Sequence, residues 1–218
     1  KQAKTITYHI RHGGTKSEIE AAAQATKAGR GANFRCLLSD TAITSDYVKQ
    51  MGQAGQMGQS LLAVVVEGKR IRAFVAPSRE QEDIAFSQVA KNRPETKLPR
   101  DPRNFWTVDY GLTKFGDLFT ERQLVALNTF SDLVHEARAE IESDAIKAGL
   151  SQDEKSLRFG GSGAMAYAEA VSVYLGFGVS RLSDILNSLC RWESSKTQVR
   201  NLFGRQSIPM MYDFGENN

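Results

Sequence analysis

The sequence predicts an α+β protein: a small β-rich part over residues 1–90, a basic linker or arm over 91–109, and a larger α-helical bundle over 110–218. Three observations predict it. Alternating and β-branched runs occupy the first third. Residues 91–103 hold five basic and two acidic side chains with three prolines, a composition that suits a connection rather than a packed element. Beyond residue 120, two long stretches repeat their apolar residues at helical spacing.

The N-terminal elements follow in order. Thr5 to Ile10 places Ile6, Tyr8 and Ile10 on one face and reads as a strand. Ser17 to Lys27 reads as a short helix, and Thr44 suits the N-cap of a second helix that runs to Met51. Leu61 to Val66 is a strand whose partner, Ile71 to Ala76, returns across Glu67, Gly68, Lys69 and Arg70 to form a hairpin. Pro77 and Ser78 start a third helix, which carries Ile84, Ala85 and Val89 and ends near Asn92, ahead of Pro94.

The C-terminal half predicts three helices. Thr120 and Glu121 open a long one whose apolar positions include Leu124, Leu127, Val134, Ala137, Ile141 and Ala145, with Gly149 as its stop. A second runs from Ser162 or Gly163 to about Trp192, with Met165, Ala168, Val171, Leu175, Val179, Leu182, Leu186 and Leu189 on its face. A shorter third over Lys196 to Phe203 completes the bundle.

Composition narrows the function classes. With 218 residues, 41% of them apolar and 24% charged, the chain can bury a core and has the profile of a soluble globular protein. The apolar run from Ala164 onward is interrupted by Glu169, Gly176 and Arg181, which argues against a membrane span. Cys36 and Cys190 lie far apart and give no disulfide framework, so the expected location is the reducing cytoplasm. The opening at Lys1 and the end at Asn218 read as processing boundaries with no signal peptide. A net charge of +3 favours nucleic acid only where the basic residues cluster.

Four groups of residues carry candidate chemistry. Phe34 to Ser39 has the outline of a zinc-ribbon knuckle in which Ser39 replaces the second cysteine. A tetrahedral zinc site needs about four thiolate or imidazole ligands, so Cys36 reads as the relic of a degenerate zinc-ribbon-like fold, and no metal is expected. Phe159, Gly161 and Gly163 match an F-x-G-x-G methyl-donor loop, but the polar residues Gln152 to Ser156 cannot supply the buried strand that should precede it. The alternative is a glycine turn with Ser162 as helix N-cap. No nucleophile elbow is present, and His135 reads as an ordinary packed or surface histidine. Lys91, Arg93, Lys97, Arg100 and Arg103 could neutralise phosphates, with Phe105 and Trp106 beside them for stacking. Arg122, Gln123, Arg205 and Gln206, near helix ends, could reach phosphates or base edges.

Four segments together resemble the zinc-ribbon-containing adenine-specific DNA methylases, large enzymes often encoded among phage-defence genes. They are Phe34 to Gly68, Tyr110 to Arg138 (YGLTKFGDLFTERQL and its continuation), Gly160 to Ser195, and Phe203 to Asn218 (FGRQSIPMMYDFGENN). The resemblance implies an internal region of such an enzyme, with the S-adenosylmethionine loop before it and the D-P-P-Y catalytic motif after it. Neither D-P-P-Y nor N-P-P-Y occurs in this sequence, and Asp101, Pro102, Arg103 lacks the stacking aromatic such a motif requires. The chain is therefore expected to hold no catalytic residue and no cofactor of its own. Its expected partners are double-stranded DNA, the remainder of the methyltransferase chain and other defence-complex subunits.

Three functional readings follow. The first is a DNA-recognition or clamp region of the methyltransferase. The second is a protein-interaction scaffold that touches no nucleic acid. The third is a complete small methyltransferase that uses Phe159 to Gly163.

Overall fold

A computed structural model describes residues 6–69, 71–101 and 103–217. The described residues form five α-helices and three two-stranded antiparallel sheets, a mixed α+β architecture with a β-hairpin ahead of the helical region. They divide into two compact units, one of residues 6–87 with 107–112, the other of residues 88–106 with 113–217.

In the first unit, helix α1 (Lys16–Gln24) begins at a reciprocal cap: the Thr15 side chain accepts from the Glu18 amide, and the Glu18 carboxylate accepts from the Thr15 amide at 2.8 Å. The strand expected upstream does not form. Residues 6–10 are irregular with Ile6 and Tyr8 exposed, because alternation alone cannot hold a strand that has no neighbour to take its backbone hydrogen bonds. Thr5 lies outside the described residues. Strands β1 (Phe34–Arg35) and β2 (Ala42–Ile43) make a minimal hairpin around the Cys36 turn, and Thr44 caps α2 (Ser45–Gln53) as expected.

Strands β3 (Val64–Gly68) and β4 (Ile71–Val75) pair from Val64 opposite Val75 to Gly68 opposite Ile71; Arg70 of the predicted turn lies outside the described residues. Helix α3 (Arg79–Ser87) starts where Ser78 and Gln81 exchange hydrogen bonds, and stops short of the predicted Asn92. Gly52 has a tertiary reason. A Cβ there would lie 2.2 Å from the carbonyl oxygen of Tyr110, so the last turn of α2 requires glycine to lie against the 3-10 turn Trp106–Tyr110.

The second unit is built on an antiparallel pair, α4 (Glu121–Lys147) and α5 (Ala164–Ile185). Thr120 and Gln123 form a capping box at the start of α4, and Gly149, at φ +96°, ends it. Contacts along the pair give its direction. Leu118 accepts from Ser188 at one end, Arg138 pairs with Glu169 at 2.8 Å in the middle, and Ala164 donates to Ser151 at the other end. Buried Ala164, Ala166 and Ala168 keep the first half of α5 slender.

Two predicted helical segments are replaced. Helix α5 ends at Ile185, not near Trp192, and β5 (Arg191–Glu193) pairs with β6 (Gln198–Arg200) where the third helix was expected. The cause is Asp184, buried near the helix end. Its carboxylate accepts from the Phe203 amide at 2.7 Å, from Asn201 Nδ2 at 3.1 Å and from Arg181 Nη1 at 2.5 Å. These bonds hold residues 201–203 against the helix end, and the chain between is long enough only for a hairpin, with Trp192 opposite Val199. The glycine segment is also corrected in detail: Gly163, not Ser162, is the N-cap of α5, and it makes no side-chain cap.

The stretch expected to be a linker is fastened over most of its length. Leu98 is buried, its amide donates to Thr113, Phe115 donates to Thr96, and Asn128 Nδ2 donates to the carbonyl of Asn92. Prolines and charges suggested a free connection, but prolines also suit a backbone that borrows partners from a neighbouring segment.

Asp184→Ala should destabilise the protein by about 3 kcal/mol, because it strands a half-buried amide and the Asn201 amide group. Denaturant titration measures this, and a loss below about 1 kcal/mol would remove Asp184 as the clasp.

Candidate nucleic-acid interface

The structure separates the predicted DNA-contacting residues into two sets. Arg93, Arg122 and Gln123 turn inward. The Arg93 guanidinium pairs with Glu121 and, at 3.5 Å, with Asp117, and donates to the carbonyl of Gly116. The backbone amide of Ala90, and then Arg93, hold the Glu121 carboxyl below its usual range. Arg122 grips Glu216 with Nε at 2.8 Å and Nη2 at 2.6 Å, and Gln123, 1% exposed, donates to the same carboxylate at 3.1 Å while accepting from the Thr120 amide. These three residues make internal bonds, and Arg122 grips the Glu216 carboxylate in a two-nitrogen fork. Sequence alone offered no means to foresee it, since Glu216 stands 94 residues from Arg122.

Lys91, Lys97, Arg100, Arg103, Trp106, Arg205 and Gln206 are exposed. Part of this set is brought together by one tertiary feature. Phe105 and Ile208 form a parallel β-bridge, in which the Ile208 amide donates to the Asn104 carbonyl at 2.6 Å. Arg103 lies two residues before the bridge on one strand and Gln206 two residues before it on the other, with Arg205 next to Gln206 and Trp106 directly after Phe105. At a reach of about 3.5 Å per residue, each of these backbones is within about 11 Å of the bridge along the chain.

The turn preceding the bridge is stiffened by Asp101. Its carboxylate accepts from the Arg103 amide at 2.9 Å and from Asn104 Nδ2 at 2.8 Å, while its carbonyl accepts from the Phe105 amide at 2.7 Å. The Arg103 amide, then Asn104, keep the carboxyl ionised below its ordinary range. Arg103 Nε also approaches it at 3.4 Å, but with its side chain 87% exposed this contact is weak and leaves the guanidinium open to a better anion. Asn104 and Ile208, which build the patch, gave no signal in the sequence: one is a turn residue and the other an apolar residue in an irregular tail.

The other candidates are filled from within. A Cβ at Gly161 would fall 1.7 Å from the Lys155 carbonyl oxygen, and one at Gly163 would fall 2.6 Å from that of Ser151. The glycines of the F-x-G-x-G match thus lie close against the chain's own backbone, and residues 151–156 ahead of them form no strand. Phe159 is 72% exposed beside them. In the Cys36 turn the Thr41 carbonyl accepts from the Cys36 amide, Ser39 Oγ meets Thr41 Oγ1 at 2.5 Å and Arg35 pairs with Asp40, so the knuckle is closed by hydroxyls and an ion pair. This donor set does not fit zinc. Among the described residues no three His, Cys, Asp or Glu side chains gather as metal ligands, and no helix is long and apolar enough to cross a membrane. Burial raises the Cys190 thiol, the opposite of what a nucleophile needs. His135 lines an open cleft beside the Arg138–Glu169 pair and is exposed.

No family model, curated protein or solved structure matches this chain.

Two measurements check the inward set. A double-mutant cycle on Arg122→Ala and Glu216→Ala should give a coupling of about 1–3 kcal/mol. Glu121, held below its ordinary value of 4.5, contributes stability that is complete above that value and is lost as pH falls through the folded-state value. Thermal melts from neutral pH to about pH 3 should therefore fall less steeply for Glu121→Gln than for the unaltered protein.

Proposed function

We propose that this chain is an internal DNA-recognition or clamp region of an S-adenosylmethionine-dependent, adenine-specific (N6) DNA methyltransferase of a restriction or phage-defence system. The resemblance of the four segments supplies the enzyme class. The observation that carries the DNA-binding part is the Phe105–Ile208 bridge, which joins the segment that carries Arg103 and Trp106 to the one that carries Arg205 and Gln206. Exposed guanidinium groups there can exchange weak solvent or carboxylate contacts for phosphates and release condensed counterions. Gln206, with donor and acceptor on one amide, can take a base edge or a phosphate. Arg93, Arg122 and Gln123 serve the same reading indirectly, since they brace the segments that carry the exposed set.

In the parent enzyme the methyl donor supplies the transferred group, and residues outside this sequence hold it. What this chain contributes is grip, since extruding a base costs a few kcal/mol that contacts elsewhere must offset.

One observation favours the scaffold reading. Residues 170–180 of α5 contain no charged side chain, yet Val173, Tyr174 and Phe177 are at least half exposed. A helix apolar on all sides is normally covered.

Fluorescence anisotropy with labelled DNA across a salt series separates the two readings. Replacing Arg100, Arg103 and Arg205 together by Glu should weaken binding and flatten the log–log salt slope by about 2–3, roughly one per lost phosphate contact. A well-folded protein with no salt-sensitive DNA binding would leave the scaffold reading. In that case, Tyr174→Ser with Phe177→Ser should abolish capture of the remaining methylase chain while the arginine replacements leave it intact.

A further inference from the structure

The exposed set at the Phe105–Ile208 bridge has a composition that points to one physical form of nucleic acid. Two large rings stand among its cations: Trp106, 48% exposed, and Phe203, 42% exposed. Phe203 is five residues before Ile208 and Trp106 is one residue after Phe105, so both backbones lie within about 18 Å of the bridge along the chain. Both are anchored at the backbone. The Phe203 amide is held by the Asp184 carboxylate, and Trp106 opens a 3-10 turn directly after the bridged Phe105. Their rings are thus carried on fixed chain, with Arg103 and Arg205 in the same two segments.

A closed duplex has little use for such rings. Its bases present only their edges, and reading them in the major groove takes a helix or a two-stranded ribbon. The patch contributes neither: residues 97–101 and 103–105 form a turn and isolated bridges, and residues 203–208 form a turn, bends and a bridge. An unpaired strand offers base faces, which stack on aromatic side chains whatever the sequence, while its phosphates follow the cations. Exposed rings interleaved with guanidinium groups on irregular backbone match that ligand on both counts.

We infer that the surface formed by residues 100–101, 103–106 and 203–208 binds an unpaired stretch of DNA in preference to closed duplex, with Trp106 and Phe203 as stacking platforms and Arg100, Arg103 and Arg205 on the backbone phosphates. The inference rests on the DNA-binding reading above and narrows it to one form of the ligand. Phe203 then has a purpose that its burial and hydrogen bonding alone do not give it. Gln206, exposed in the second segment, carries the donor and acceptor that can meet the Watson–Crick edge of a stacked base.

The test uses the 218-residue chain and three fluorescein-labelled probes of about 12 nucleotides: oligo-dT, a mixed-sequence single strand, and the duplex of that strand. Expected is single-strand binding at least tenfold tighter than duplex binding, with quenching of tryptophan emission. Trp106→Ala and Phe203→Ala should each weaken single-strand binding about five- to tenfold with duplex binding unchanged, and Trp106→Phe should restore most of the loss. Circular dichroism of each variant confirms the fold, and Trp192→Phe, outside the patch, should retain the quenching. Equal or tighter binding of duplex, with both alanine variants neutral, overturns the inference while leaving a DNA-binding surface. Absence of salt-sensitive binding to all three probes overturns the inference and the reading it rests on.

Discussion

The carboxylate of Asp184 is the point on which the C-terminal architecture turns. It sits at the end of a 22-residue helix and takes three donors, one from that helix and two from residues 201–203. A buried carboxylate satisfied in this way is costly to disturb, because each donor it holds would otherwise be left without a partner. Its consequence is directional. By fixing residues 201–203 it forces the intervening chain into the β5–β6 hairpin and delivers the tail toward Ile208, where the bridge to Phe105 forms. The candidate surface therefore depends on a carboxylate that does not belong to it.

A second constraint acts on the other half of that surface. Residues 88–106 carry three prolines and a surplus of positive charge, yet the start of this stretch is held in place because Glu121, at the start of α4, holds both the Ala90 amide and Arg93. Gly116 completes the arrangement. A Cβ there would meet Arg93 Cγ at 2.4 Å, so the arginine can lie flat only over glycine. Arg122 and Gln123, the next two residues in the same turn, hold Glu216 in the tail. One helix N-terminus thus secures both segments that present the exposed cations and rings, and three residues with the chemistry of DNA contacts are used as fasteners.

The two surfaces left over have opposite characters. The bridge-centred patch is cationic and aromatic on irregular backbone, suited to a flexible polyanion. The middle of α5 is apolar and uncharged over 11 residues, with glycines at 176 and 178 that cost helix stability and leave open space above them. A chain working inside a larger enzyme would need both kinds, one for nucleic acid and one to pack against its own neighbouring domains. The DNA-clamp and scaffold readings divide along this line.

The sequence by itself determined the local features. The Thr120 start of α4, the Thr44 cap, the β3–β4 hairpin, the Gly149 stop and the long apolar period of α4 are all decided within a few residues, where side chain and backbone compete directly for hydrogen bonds. Only the tertiary structure decided where α5 ends, that Trp192 and Val199 pair as strands, and that residues 6–10 do not form one. It also decided which arginines face solvent. The reason is the same in each case: the deciding partner is remote, Asp184 for residues 201–203, Glu216 for Arg122, Ile208 for Phe105, and no periodicity along the chain records a bond whose two ends are separated by up to 100 residues or so.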